Sequence, residues 1–210
     1  MNARASAIEA AKTATRDVYE RQARTWDRQR PRSLYEKPWL DRFAARIPPG
    51  GRLLDLGCGA GDPVGTYFIG KGFALVGVDY SETMIALARE RHSGAEWHVQ
   101  DMRMLDASGP FDGICSWDGF FHLSVEEQRA ALPDLANRIG DGGAMLLTVG
   151  PGEGEVTGTV GGETVYHASL SEIEYRDILR KSGFRKIAFV AEDAECGGRS
   201  VLMAWGKQTV

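Results

Sequence analysis

The sequence predicts an α/β fold: a doubly wound, mostly parallel seven-stranded sheet with an antiparallel last strand and an N-terminal helical cap. Three observations predict it. Apolar runs of strand length alternate with amphipathic helical patterns over roughly 150 residues, as right-handed crossovers of a parallel sheet require. A glycine-rich turn follows the first of those runs, LLDLGCGAGDP at 53–63. The last two runs lack a helix between them, and EDAECGGR at 192–199 reads as a hairpin connection.

From about Ser6 to Arg30, apolar residues recur mostly at three- and four-residue steps with charges between them, an amphipathic helix that ends near Pro31. A second helix has Pro38 in its first turn, a face of Trp39, Leu40, Phe43, Ala44 and Ile47, and a stop at Pro48, Pro49, Gly50 and Gly51. Strands are expected at 52–56, 73–78, 95–99, 111–117, 143–149, 186–191 and 200–205. Asp62 with Pro63 reads as a cap and first-turn pair, and Ser81 as the cap of 82–91. Ser124 with Glu127 and Ser171 with Glu174 have capping-box spacing. Pro133 falls inside the helix that starts at Val125, where a lost hydrogen bond and a kink are expected.

No repeat, low-complexity tract or linker divides the 210 residues, so one domain is expected: a helical cap at 1–48, a core at 50–150, a loop and hairpin at 150–168 and a C-terminal part at 169–210. With 25 Lys and Arg against 29 Asp and Glu, the net charge of −4 argues against a nucleic-acid partner and favours a small molecule. Cys58, Cys115 and Cys196 form no CxxC or Cys/His ligand spacing, so reduced thiols and no metal are expected. No apolar run is long enough to span a bilayer. The N-terminal segment lacks a signal peptide's apolar centre, and Glu9, Asp17 and Glu20 count against an organellar presequence; a cytoplasmic location is the expectation.

Glycine is the compositional outlier, and 18 of the 26 fall in two stretches, 50–77 and 140–162. The first holds Asp55, Gly57, Cys58, Gly59 and Gly61 between a strand and a helix, a place where bare backbone and helix amides can meet a ligand. The dinucleotide fingerprint GxGxxG fails because its third position is Asp62. What stands instead, Asp-x-Gly-x-Gly-x-Gly, resembles the first motif of class I S-adenosylmethionine-dependent methyltransferases of the small-molecule type. The likeness continues at later strand ends: Asp79 in VGVDYSETM, Gln100-Asp101-Met102, and FDGICSWDGFFHL at 111–123.

The resemblance implies a Rossmann-like methyltransferase fold binding S-adenosyl-L-methionine. It implies that Asp79 accepts from the ribose hydroxyls, that Tyr80 and Met84 flank the adenine, that Asp101 accepts from the adenine amino group, and that the Met102 amide donates to the ring. Cys58 fills a place where a small side chain fits. YERQARTWDRQRP is similar to the family's opening helix, with Tyr19, Ala23, Trp26 and Arg30 on one face. Trp26 then meets the methionine portion and Arg30 its carboxylate, or else Trp26 is core and Arg30 solvated. Trp117 and Phe120 offer aromatic faces to the sulfonium or an apolar acceptor, against plain packing.

A sulfonium methyl is already activated, so positioning supplies most of the rate, with a general base adding about 10²- to 10⁴-fold. Asp118 and His122, four residues apart beyond the fourth strand, are the base candidates; His122 reads equally as a packed histidine. The second glycine stretch reads as a flexible loop and a hairpin turning at Gly161 and Gly162, a cover over the acceptor from which Tyr166 or His167 contacts substrate. The expected function is methyl transfer to a small molecule. The alternatives are an inactive cofactor-binding regulator and a nicotinamide-dependent oxidoreductase.

Overall fold

The computed structural model describes residues 3–208. Parallel strands β1 (Arg52–Leu56), β2 (Ala74–Asp79), β3 (Glu96–Val99), β4 (Phe111–Ser116) and β5 (Ile139–Val149) are followed, beyond the hairpin β6 (Gly154–Val160) and β7 (Glu163–Ser169), by β8 (Phe184–Asp193) and β9 (Arg199–Lys207). The main sheet has the order β3-β2-β1-β4-β5-β9-β8, with β9 antiparallel to both its neighbours. Chain direction across the sheet reverses its outward progression between β1 and β4, so the crevice for a ligand opens at the carboxyl ends of these two strands.

The central strands β1, β2, β4 and β5 are apolar on both faces because helices cover both. Leu54, Leu56, Val76, Val78, Ile114, Met145 and Leu147 pack with Leu132, Leu135, Tyr175 and Leu179 of α5 (Val125–Asn137) and α6 (Glu172–Lys181). The alternate residues Leu53, Leu75, Cys115 and Leu146 pack on the other face. There they meet Trp39, Leu40 and Phe43 of α2 (Lys37–Ala44), Phe68 of α3 (Val64–Gly70), and Ile85 and Ala88 of α4 (Glu82–Arg91).

Several local expectations differ from the structure. β5 begins at Ile139, four residues before the expected start, because Gly140, Gly142 and Gly143 form an irregular stretch that stays in the sheet, with the β4–β5 register shifting between Phe111 and Gly113. Asp62 does not cap α3: its carboxylate takes charge-assisted bonds from Arg32 and a bond from Thr66 Oγ1, and the helix starts at Val64 without a side-chain cap. Ser124 and Glu127 close a full capping box, whereas at Ser171 only the Ser171 hydroxyl half forms. α5 continues for a turn past Pro133.

α1 (Ala3–Gln29) lies across the carboxyl ends of the strands. The β6–β7 hairpin packs against its back: Val160 and Val165 on Val18, Tyr166 and Ala168 on Ala11. Gly161 and Gly162 do turn the hairpin, both at positive φ, as a two-residue turn needs. The hairpin therefore buttresses the covering helix, which corrects its expected role as the cover itself.

Candidate active site

A concave site opens where β1, β2, β3 and β4 end, roofed by α1. Its floor is the first glycine loop. Gly57 N–H and Cys58 N–H both donate to the Val78 carbonyl, tying the loop to the end of β2. Gly57 and Gly59 line the cavity at φ +68° and +54°; a Cβ at Gly57 would meet the Gly119 backbone at 3.3 Å, while one at Gly59 would find only Met84 Sδ at 3.9 Å. Gly59 thus keeps open space in front of the main chain, a conformation that side chains disfavour.

Asp79, last in β2, accepts from Gly59 N–H at 3.0 Å and Ser81 N–H at 2.9 Å. Burial raises its pKa to about 6, against those two bonds. Ser81 caps α4 by accepting from Met84 N–H, which sets Met84 in the first turn and at the cavity wall. Asp55 is 2% exposed, and its Oδ2 has no partner. Burial, then the neighbouring Asp79 charge, pushes Asp55 up to about 7. Trp117 also lines the cavity, with its buried Nε1–H unpaired. A buried acceptor and a buried donor without partners are what a ligand carrying both amino and carboxylate groups would satisfy. Cys58 lines the floor too; burial pushes its thiol up, which leaves it a small packed side chain.

Ion pairs hold the roof. Asp101 accepts from Arg103 N–H and Nε and, with its other oxygen, from Arg103 Nη2 and Arg16 Nη1; Arg103 continues to Glu127. At the far end Asp27 of α1 takes Arg91 from α4 and Arg32, and Arg32 reaches Asp62. A third cluster walls the inner end: Arg199 bonds both oxygens of Asp118 at 3.1 to 3.2 Å, while Arg30 pairs with Glu36 and Tyr35 and lies 3.8 Å from Asp118.

The structure gathers Trp26, Arg30, Asp55, Gly57, Cys58, Gly59, Asp79, Tyr80, Met84, Asp101, Met102, Trp117, Asp118 and His122 around one cavity. Four expected contacts are corrected. Gly61 does not line it: its missing Cβ makes room for the Trp97 ring, 2.7 Å away. Phe120 is fully buried in the core beneath. Tyr166 is fully buried behind α1, with its hydroxyl bonded to Glu155. His167 stacks on Phe121 and His122 outside the cavity.

Three further roles change. Both Asp101 oxygens are occupied by arginines, so it is no free acceptor for an adenine amino group. Arg30 is neither solvated nor free, being held by Glu36. Both oxygens of Asp118 are engaged by Arg199. Arg16 and Arg199 carried no sequence signal, because each acts through a partner far away in the chain, and Arg103 and Glu36, with partners nearby, were not singled out.

Tyr19 and His122 face one another across the cavity's inner end. The Tyr166 carbonyl lies 2.8 Å from His122 Nδ1 and can only accept, so Nδ1 carries the proton and Nε2 is the bare nitrogen. Tyr19 O–H therefore donates to Nε2, at 2.9 Å. Burial first, then the His167 neighbour, lowers the His122 pKa to about 4, and burial with the charges of Asp118 and Asp79 raises that of Tyr19.

With this geometry in hand, comparison with known proteins is informative. A family model described as a methyltransferase domain matches residues 53–143, the stretch from β1 into β5 that holds the glycine loop and all four strand ends. Residues 53–143 thus match a methyltransferase domain. The domain is 31% identical over 120 residues to the tRNA (carboxymethyluridine(34)-5-O)-methyltransferase alkbh8 of Xenopus tropicalis, covering 56% of this chain and 18% of that protein. It is 32% identical over 101 residues to the putative methyltransferase YqeM of Bacillus subtilis, covering 46% and 40%. The chain thus spans less than half the length of these curated relatives. The S-adenosylmethionine-bound structure of CalS10, an amino pentose methyltransferase from Micromonospora echinaspora, superposes with a TM-score of 0.67 at 21% identity, covering 89% of this chain and 96% of that one. The methyltransferase fold therefore extends well beyond the matched segment, into β8 and β9.

Proposed function

We propose that this protein transfers the methyl group of S-adenosylmethionine to a small-molecule acceptor held beneath α1. The observation that carries this reading is the cavity itself, which runs without a break from the glycine loop and Asp79 to Trp117, Asp118 and His122 under one pinned helix. Gly57 and Gly59 would receive the donor against bare backbone, Asp79 the ribose hydroxyls, and Asp55, Trp117 and Arg30 the amino-acid end. When bound, the donor supplies an activated methyl. The chain's residues would then place the acceptor in line and exclude water.

A tRNA acceptor is the second reading, favoured by the names of several relatives. Against it, three of the exposed or part-exposed cations around the roof, Arg16, Arg21 and Arg32, are engaged by Asp101, Glu163, and Asp27 with Asp62. Phosphates would have to compete with those carboxylates. Labelled S-adenosylmethionine offered with total tRNA in one reaction and a small-molecule extract in another decides the matter: label confined to tRNA overturns the proposal.

A further inference from the structure

We propose that the acceptor is a neutral primary or secondary amine, whose N–H donates to the Tyr19 oxygen while His122 positions Tyr19. The inference rests on the methyl-transfer reading and deepens it. Its basis is the proton inventory at the inner end of the cavity. The Tyr166 carbonyl fixes the proton of His122 on Nδ1, and Nε2 takes the proton of Tyr19. The Tyr19 oxygen is left with lone pairs only, in a residue that lines the cavity. It receives a donor and gives none.

The transfer itself must then proceed without a base. Tyr19 cannot take a second proton, the buried His122 ring resists one, and Asp118 is held between Arg199 and Arg30. In an amine the nitrogen lone pair forms the new N–C bond as the C–S bond of the donor breaks and its electron pair leaves on sulfur. The proton stays on nitrogen, and the product departs as an ammonium. An alcohol would pass through an oxonium that needs somewhere to lose its proton, and none of Tyr19, His122 and Asp118 at this end offers one. Carboxylates and thiolates need no base, yet they have no hydrogen for Tyr19 and would face the charges of Asp79 and Asp118.

The test pairs primary and secondary amines with alcohols of the same carbon skeleton, offered with labelled S-adenosylmethionine, and follows product by mass spectrometry. S-adenosylhomocysteine binding is measured in parallel by calorimetry. Methylated amines with unmethylated alcohol partners are expected. Tyr19→Phe should lower kcat/KM for the amine at least tenfold while S-adenosylhomocysteine affinity stays within twofold. His122→Asn, which still offers an acceptor oxygen, should recover more of kcat than His122→Ala. Equal transfer to alcohols, no methylated amine despite cofactor binding, or an unaltered Tyr19→Phe enzyme would each overturn the assignment. Failure of the wild-type protein to bind S-adenosylhomocysteine would instead remove the methyl-transfer reading beneath it.

Discussion

The two ends of the cavity are built in different ways. The outer end, from the glycine loop to Asp79 and Met84, is made of residues close in sequence: Gly59 bonds Asp79, twenty positions on, and Ser81 bonds Met84. The inner end joins distant segments: Tyr19 to His122, Arg199 to Asp118, Thr15 to Tyr166. Backbone shape dictated by glycines and caps makes the first. Side chains delivered by packing make the second. A site of the first kind tolerates change in the rest of the fold, whereas one of the second kind is as specific as the packing that assembles it.

The largest expected effect tests whether the glycines of the loop share one role. Gly61→Ala would place a Cβ 2.7 Å from Trp97 at a φ of +72°. Left-handed backbone costs about 1–2 kcal/mol for a side chain and overpacking about 1–3 kcal/mol, so a loss of about 3 kcal/mol is expected in denaturant unfolding. The folded fraction should bind S-adenosylhomocysteine as before. Affinity lost without stability would return Gly61 to the ligand side.

The inner end should announce itself in acid. His122 titrates near 4 in the folded chain against about 6.5 unfolded, so above pH 6.5 it contributes nothing. As pH falls from 6.5 to 4 the unfolded chain takes up a proton that the native chain refuses, and stability drops by about 3 kcal/mol in total. Asp55 and Asp79 work in the opposite sense over an overlapping range, since their raised pKa values make the native state the better proton binder as pH falls. The informative quantity is therefore the difference between wild type and His122→Asn across pH 4–7, which should grow as pH rises from 4 to 6.5. A constant difference would show that His122 is not desolvated by the contacts seen.

At the outer end, Asp79→Ala removes a carboxylate that organises the loop and would face the ribose. Charge-assisted hydrogen bonds contribute about 1.5–3 kcal/mol, so S-adenosylhomocysteine should bind roughly 10- to 100-fold more weakly by calorimetry. Unchanged affinity would break the ribose assignment. The smallest effect belongs to the roof. Arg103→Ala releases Asp101 and Glu127, both partly exposed, and should cost under about 1 kcal/mol in stability. It should nonetheless speed S-adenosylhomocysteine release a few-fold in stopped flow, since Arg16 of α1 meets the same Asp101.

What the sequence determined by itself follows the same division. Strand and helix alternation, the antiparallel last strand, the capping serines and the glycine floor were legible, because each depends on residues within one turn or one strand of each other. His122 was legible as a residue, but its tautomer was not: that depends on a carbonyl 44 positions away. Tyr166 and His167 were assigned to the acceptor from strand alternation, which gives opposite faces yet not what each face meets. Asp101 was read as a free acceptor and Arg30 as either a carboxylate ligand or solvated, because spacing does not tell which charged neighbours pair once the chain folds. Only the tertiary structure decided that the hairpin supports the expected cap α1, and that Tyr19 stands beside His122. Those outcomes rest on burial and charge pairing between segments brought together by the folded sheet, for which no local spacing carries a signal.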